Sequence, residues 1–229
     1  MKKDIRFLLT NSCNYDCYFC HNEGVEAKRT RKELSVEHYV TLFKVYYEME
    51  EWNGVTLSGG EPLLYRYIDT LCQRLHEEGA KITIVTNGSL LSNHLPMLKY
   101  VDRINVSIHT LTDSVYEHIT GRKNMLSHVK ETLKLVRSLY PNLEVRLNVT
   151  PCKSNGWSME ELNMILSFSK ELNSSVKMTE LFPKSDPNCI SINSLREQLS
   201  ENGYIFVETE DRTELFVKDG HNVYLTQCT

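Results

Sequence analysis

The chain has 229 residues, 41% of them hydrophobic, enough for one sizeable core or two small domains. Its 26 basic and 30 acidic residues leave a net charge of -4, which argues against a sequence-wide polyanion-binding surface and against nucleic acid as a partner, though a local basic pocket stays open. No apolar run approaches the ~20 residues that span a membrane, and MKKDIRFLLT at the start carries too short an apolar stretch for a signal peptide. These features predict a cytoplasmic protein with no membrane partner. Seven cysteines, odd in number and unevenly spaced, then point to metal ligation or buried thiols rather than a disulfide framework.

Strand-like and helix-like stretches alternate along the chain. DIRFLLT (4–10) reads as the first strand, followed by CNYDCYFCHNEG (13–24). Ser35 can cap a helix in which Tyr39, Leu42, Phe43, Tyr46 and Met49 share one face. GVTLSG (54–59), KITIVT (81–86), RINVSI (103–108), EVRLNVT (144–150) and VKMTELF (176–182) read as five more strands. Cys72 falls in the helix after strand two, as a small buried hydrophobe. Leu126, Val129, Leu133 and Val136 recur at helical spacing after strand four, and Ser158 with Glu161 forms a capping box ahead of Leu162, Ile165, Leu166 and Leu172. Past Pro183 the pattern changes: SINSLREQLSENG reads as a helix, and YIFVETE, TELFVK and NVYLTQ as antiparallel strands, with Asp219-Gly220 set for a tight hairpin.

Six repeats of strand then helix imply right-handed crossovers and a parallel sheet, as a partial barrel or an open doubly wound sheet. The strand faces favour the barrel. Ile104, Val106 and Ile108 alternate with Asn105, Ser107 and His109; Val145, Leu147 and Val149 alternate with Arg146, Asn148 and Thr150. Parallel strands covered on both faces read as continuous apolar runs, whereas these keep one polar face that must line something wet or ligand-filled. The predicted fold class is α/β: a partial (β/α)6 TIM-type barrel over 1–183, with a small C-terminal α+β appendage over 184–229 capping it.

Cys13, Cys17 and Cys20 can point at one centre from a single loop. Zinc would need a fourth ligand, His21 locally or Cys152, Cys189 or Cys228 in space. A four-iron cluster held by three cysteines instead leaves one iron open for a ligand that is not protein.

CNYDCYFC, with Phe19 in the aromatic position, resembles the cluster loop of radical S-adenosylmethionine enzymes. The resemblance continues through GGEP (59–62), TNG (86–88), VSIH (106–109), ITGR (119–122), VRLNV (145–149) and ELFP (180–183). Motifs in this order are similar to those of the GTP 3′,8-cyclases of molybdenum-cofactor biosynthesis and cover about residues 4 to 183. The resemblance implies a 4Fe-4S cluster on Cys13, Cys17 and Cys20, with S-adenosylmethionine chelating the fourth iron and cleaved to a 5′-deoxyadenosyl radical that takes hydrogen from a small-molecule substrate. It also implies that Gly59, Gly60 and Glu61 receive the cofactor's amino group. Thr86 and Ser107 would contact its carboxylate, Asn148 its ribose and Phe182 its adenine.

Arg146 matches a substrate-contacting cation and suits a phosphate or carboxylate. His109, where the cyclases carry an acidic residue, and Arg66 are weaker substrate candidates. A low-potential electron donor such as flavodoxin or ferredoxin is implied. The first substrate reading is a nucleotide or nucleoside, the next a peptide or sugar-containing metabolite. A non-catalytic zinc- or cluster-stabilised binding module is the alternative of another class. The cyclases' second cluster uses closely spaced cysteines, a pattern that Cys152, Cys189 and Cys228 do not repeat, so one cluster is expected.

Overall fold

The structure, a computed structural model, describes residues 3–20, 33–49, 52–183 and 185–227. Its elements run β1 (Lys3–Leu8), α1 (Val36–Tyr47), β2 (Trp52–Ser58), α2 (Ile68–Glu77), β3 (Lys81–Thr86), β4 (Arg103–Ser107), α3 (Asp113–Thr120), α4 (Met125–Leu139), β5 (Glu144–Val149), α5 (Met159–Glu171), β6 (Ser175–Thr179), α6 (Ile192–Glu201), β7 (Ile205–Glu210), β8 (Thr213–Lys218) and β9 (His221–Thr226). They fall into two compact units, Met1–Val106 with Ser127–Glu144 and Ser107–Leu126 with Val145–Thr229.

In the first unit β1, β2, β3 and β4 lie side by side, each neighbouring pair parallel. Val55, Leu57, Ile82, Ile84 and Ile104 are fully buried, as expected of β-branched and leucine side chains packed under crossover helices. In α2, Ile68, Leu71, Cys72 and Leu75 form the buried stripe at helical spacing, so Cys72 is a core thiol. Leu126, Val129, Leu133 and Val136 are buried along α4. Three expectations need correction. The buried face of α1 is Tyr39, Val40 and Phe43, while Leu42 is exposed and Met49 lies beyond the helix end. Ser35 precedes α1, but its hydroxyl pairs with His38 Nδ1 at 2.6 Å instead of capping a backbone N–H. The connection from β3 to β4 is also not an α-helix. Leu91–Tyr100 winds as 3-10 turns with a non-helical break at His94, because Pro96 has no N–H to donate and its ring crowds the preceding turn.

In the second unit β5 pairs in parallel with β6, and β6 in parallel with β9. The tail therefore joins the sheet: β8 runs antiparallel to β9, and β7 antiparallel to β8. Asp219 and Gly220 both take positive φ in the β8–β9 turn, the geometry that Asp-Gly supplies at little strain. Leu162, Ile165, Leu166, Val176, Met178, Leu195, Leu199, Phe216, Val223 and Leu225 make one core, each fully buried side chain contributing about 1.5–3 kcal/mol. Ser158 Oγ caps α5 by accepting from Glu161 N at 3.2 Å. The Glu161 carboxylate does not close the reciprocal half of the box; it accepts from Leu111 N and Thr112 Oγ1. Opposite the core, Arg146, Asn148, Ser175, Lys177 and Thr179 are half-buried. The polar faces read from the sequence are present in β5, and in β4 as Asn105 and Ser107; β6 shows the same alternation.

Candidate cofactor-binding site

The cysteine loop leaves β1 at a fixed point. Leu9 N donates to Ser58 O at 2.9 Å, prolonging the β1–β2 ladder by one residue. Cys13 and Cys20 are exposed, Cys17 is half-buried, and none of the three is in a disulfide. Tyr15 N reaches Cys13 Sγ at 3.4 Å, and Cys20 N donates to Cys17 O at 2.9 Å, bending the loop back on itself. Burial, then the neighbouring Cys20 and Cys13, pushes the Cys17 thiol up to about 12; burial likewise raises Cys13. Reactive redox cysteines are tuned the opposite way. These thiols need a cation to ionise, which suits metal ligation.

Among the described residues no three His, Cys, Asp or Glu side chains converge closely enough to hold a single metal ion. A four-iron cluster asks something different, since each thiolate meets its own iron. Three cysteines on one loop outside any disulfide, with an N–H donor at the Cys13 sulfur, fit that donor set. His21 and Cys228, the other named candidates for a fourth ligand, lie outside the described residues.

The SGGEP turn packs directly against the chain that leads into Cys13. Gly60 N donates to Thr10 O and Glu61 N to Ser12 O, both at 2.8 Å. A Cβ on Gly60 would stand 2.2 Å from Ser12 O, and one on Gly59, whose φ is +142°, 2.4 Å from Thr10 O. Both glycines are thus required by the protein's own backbone, before any ligand is considered. Glu61 is 1% exposed. Its Oε1 accepts from Leu63 N at 3.0 Å and Thr86 Oγ1 at 2.7 Å, its Oε2 from Asn87 N at 2.8 Å. Thr86, also buried, accepts in turn from Gly88 N at 3.0 Å. Glu61 and Thr86 therefore tie the two turns together; the resemblance gives both of them contacts to S-adenosylmethionine.

Asn87, Asn14 and Ser89 close a ring of side-chain hydrogen bonds. Asn87 Nδ2 donates to Asn14 Oδ1 at 2.9 Å, Asn14 Nδ2 to Ser89 Oγ at 2.8 Å, and Ser89 Oγ to Asn87 Oδ1 at 2.6 Å. Sequence reasoning passed over all three, although TNG and CNYDC were both in view. The signal was the amide pair, which gains meaning only once the two turns are known to meet.

The second unit holds the remaining candidates. Thr150 N donates to His109 Nδ1 at 3.1 Å, and burial holds the imidazole down to about 4, so it is neutral with its proton on Nε2. Ser107 is half-buried on the same strand face. Asn148 Oδ1 is buried with no hydrogen-bond partner among the described residues, a penalty of about 1–3 kcal/mol that a ligand donor would remove. Arg146 lies on the adjoining rung: Nε donates to Ser175 Oγ at 3.3 Å, and the guanidinium covers the Tyr224 ring at 4.5 Å. Phe182 is half exposed. Arg66, in the first unit, is exposed and stacks on Tyr67 at 4.7 Å, the solvated placement expected of a helix-start arginine. Cys152 and Cys189 face each other across an isolated antiparallel bridge.

A profile of the Radical SAM superfamily matches residues 7–168, which contain the cysteine loop, both turns and strands β2–β5. The chain belongs to the radical SAM superfamily. With the family come its two cofactors, a 4Fe-4S cluster and S-adenosylmethionine. The chain is 29% identical over 224 residues to a probable GTP 3′,8-cyclase of Pyrobaculum aerophilum, covering 95% of this chain and 70% of that one. It is 35% identical over 175 residues to a probable GTP 3′,8-cyclase of Sulfurisphaera tokodaii, covering 74% and 52%. Beyond the Pyrobaculum protein, it spans about half the length of the curated relatives it matches.

Among solved structures, Streptococcus suis SuiB bound to its precursor peptide SuiA superposes with a TM-score of 0.73 at 18% identity, covering 88% of this chain and 45% of that one. A radical SAM methyltransferase from Sphaerobacter thermophilus gives 0.67 at 16%, covering 87% and 62%. These likenesses bear on the fold, an α/β partial TIM-type barrel with its small α+β appendage. Among the described residues no helix is long and apolar enough to cross a membrane.

Proposed function

We propose that the chain binds a 4Fe-4S cluster through Cys13, Cys17 and Cys20 and reductively cleaves S-adenosylmethionine, directing the resulting 5′-deoxyadenosyl radical at a C–H bond of a nucleotide or nucleoside. When bound, the cluster supplies the electron that breaks the sulfonium C–S bond. Residues 1–183 form the catalytic core in this reading and 184–229 the appendage. The observation that carries it is the loop itself, with three cysteines outside any disulfide, the Cys13 and Cys17 thiols raised by burial and a backbone N–H on Cys13.

The other residues take roles their surroundings support. Gly59 and Gly60, half-exposed beside the loop, offer backbone groups to the methionine end, with Glu61 and Thr86 fixing that turn from behind. Ser107 presents a hydroxyl to the carboxylate, Asn148 its unmatched Oδ1 to a ribose hydroxyl, Phe182 an exposed ring to adenine and Phe19 its ring beside the cluster loop. Arg146, held flat on Tyr224, suits a planar bidentate grip on an anionic substrate. His109 donates from Nε2, and Arg66 stays at the periphery. The cyclase names of the relatives support nucleotide chemistry. The setting is cytoplasmic, with a low-potential donor such as flavodoxin or ferredoxin supplying the electron.

Anaerobic reconstitution with iron and sulfide, followed by dithionite and S-adenosylmethionine, should yield 5′-deoxyadenosine, quantified by chromatography. Cys17→Ala should abolish that product while leaving the circular dichroism spectrum unchanged. Colourless protein that holds zinc and cleaves nothing would overturn the proposal in favour of a binding module.

A further inference from the structure

The loop that carries the cysteines is latched at its second residue, Asn14, to the turn after β3. The latch is the three-membered ring described above, in which Asn87, Asn14 and Ser89 each donate once and accept once around the cycle. Ser89 N adds a further donor to Asn87 Oδ1 at 2.9 Å. That bond settles the orientation of the amide. A backbone N–H can only donate, so the atom facing it is the oxygen and the NH2 group points the other way. The other way is the cysteine loop. One Nδ2 hydrogen goes to Asn14, and the second is directed at Cys13 Sγ, 3.9 Å away.

The backbone of Asn87 is held as firmly as its side chain. Its N–H donates to the buried Glu61 carboxylate at 2.8 Å, and Glu61 also grips Thr86, one residue earlier. The glycine turn that carries Glu61 is in turn bonded to Thr10 and Ser12, immediately before Cys13. A closed circuit therefore runs from the cysteine loop through the SGGEP turn to the TNG turn and back through Asn87. In that circuit the Asn87 side chain presents a donor to a thiol sulfur. Closed networks of this kind keep their members in one rotamer, because each bond fixes the geometry of the next.

We propose that Asn87 is a positioning residue for the iron–sulfur cluster, its amide directing an N–H at the Cys13 sulfur while its ring with Asn14 and Ser89 holds the cysteine loop in register. This rests on the ligand assignment above. A hydrogen bond to a thiolate withdraws electron density from it and favours the reduced, more negative cluster, raising the reduction potential. Outer partners that orient ligands also slow metal loss, by about 10–100-fold in affinity where measured. The two contributions belong to different atoms here. The sulfur contact uses the Asn87 Nδ2 hydrogen, and the latch uses all three side chains.

The test uses the full chain, reconstituted without oxygen, as wild type, Asn87→Asp, Asn87→Ala and Ser89→Ala. Asn87→Asp keeps an oxygen for Ser89 and nearly the same shape, so it is the variant most suited to fold and load; it removes the donor and adds negative charge beside Cys13. Its midpoint potential, followed by electron paramagnetic resonance during a redox titration, should shift to more negative values, as should that of Asn87→Ala. Ser89→Ala keeps the Asn87 amide and should hold the wild-type potential while losing iron to a chelator about 10-fold faster. Wild-type potential and wild-type iron retention in both Asn87 variants would overturn the inference and leave the cluster assignment standing. A wild-type chain that takes up no iron and sulfide would overturn the assignment itself, and this inference with it.

Discussion

Glu61 and Asn87, 26 positions apart in the chain, meet where Glu61 Oε2 accepts from the Asn87 backbone N–H at 2.8 Å. This contact ties the turn after β2 to the turn after β3. Both turns touch the cysteine loop, the first through backbone at Thr10 and Ser12, the second through side chains at Cys13 and Asn14. One buried carboxylate thus holds together the three segments on which a cluster would depend.

Glu61→Gln tests that role. The substitution keeps the shape but turns one oxygen into a donor, which must face at least one of the three groups now donating to it. An opposed buried donor pair costs about 1–3 kcal/mol. Urea unfolding of the iron-free chain should show a loss of about 2 kcal/mol, and reconstitution should give less iron per chain. Unchanged stability would mean that the carboxylate is not the hub described.

Gly60→Ala should do more local damage with less chemistry. The added methyl group would lie 2.2 Å from the Ser12 carbonyl oxygen, and backbone cannot swing aside as a side-chain end does. Overpacking of this kind typically costs about 1–3 kcal/mol, and relief requires moving Ser12, next to Cys13. Iron content after reconstitution should fall more than the melting temperature does. An alanine variant with full iron content would show that the turn and the loop tolerate separation.

How much of this was legible in the sequence differs from residue to residue. The alternation in EVRLNV survives unchanged: Val145, Leu147 and Val149 are buried, Arg146 and Asn148 half-buried, because period-two patterning is a local property that tertiary contacts rarely override. The Ser158 cap was readable for the same reason. Met49 was misplaced because the helical pattern does not announce that α1 ends at Tyr47. Glu61 was read as a ligand for an ammonium group, a fair inference for a carboxylate in a glycine turn. Of its three donors in the structure, Leu63 N is local, and Thr86 and Asn87 come from another strand end. The resemblance gave the two glycines before it to the cofactor's amino group; the structure shows that the protein's own backbone at Thr10 and Ser12 already needs them.

Cys152 and Cys189 should be open to cross-linking. The bond from Lys153 N to Asn188 O at 2.9 Å flanks the bridge, which makes the cysteines a non-hydrogen-bonded pair. Such pairs have Cα atoms about 4.5 Å apart, within the range a disulfide spans. With peroxide as oxidant, half-exposed Cys189 would form a sulfenic acid, and buried Cys152 would displace water to close the S–S bond. Burial and the nearby Glu180 raise the Cys189 thiol, so the step should be slow and speed up with pH. Peptide mapping of the cluster-loaded chain should find the two peptides joined, and Cys189→Ser should prevent it. Independent alkylation of both thiols after peroxide would refute the geometry.

Acid should destabilise the fold through two buried imidazoles. His109 accepts from Thr150 N, and burial holds it down to about 4 against an ordinary 6.5. His221 accepts from Tyr204 Oη on Nδ1 at 2.6 Å and donates from Nε2 to Ser169 Oγ at 2.8 Å, since the Ser169 hydroxyl already donates to Ser174 O. Burial, then Lys170, lowers it too. Both folded values lie below the unfolded one, so the unfolded chain takes up protons first as pH falls. The stability is whole above about pH 6.5, and the His109 share is lost on acidification toward about pH 4. His109 contributes a slope of up to about 1.4 kcal/mol per pH unit within that window, and His221 adds in the same direction. Urea midpoints of the iron-free chain at pH 7.5 and 5.5 should differ accordingly. His109→Asn, whose side-chain oxygen can still accept from Thr150, should flatten the difference. A pH dependence identical to wild type would place the acid sensitivity elsewhere in the molecule.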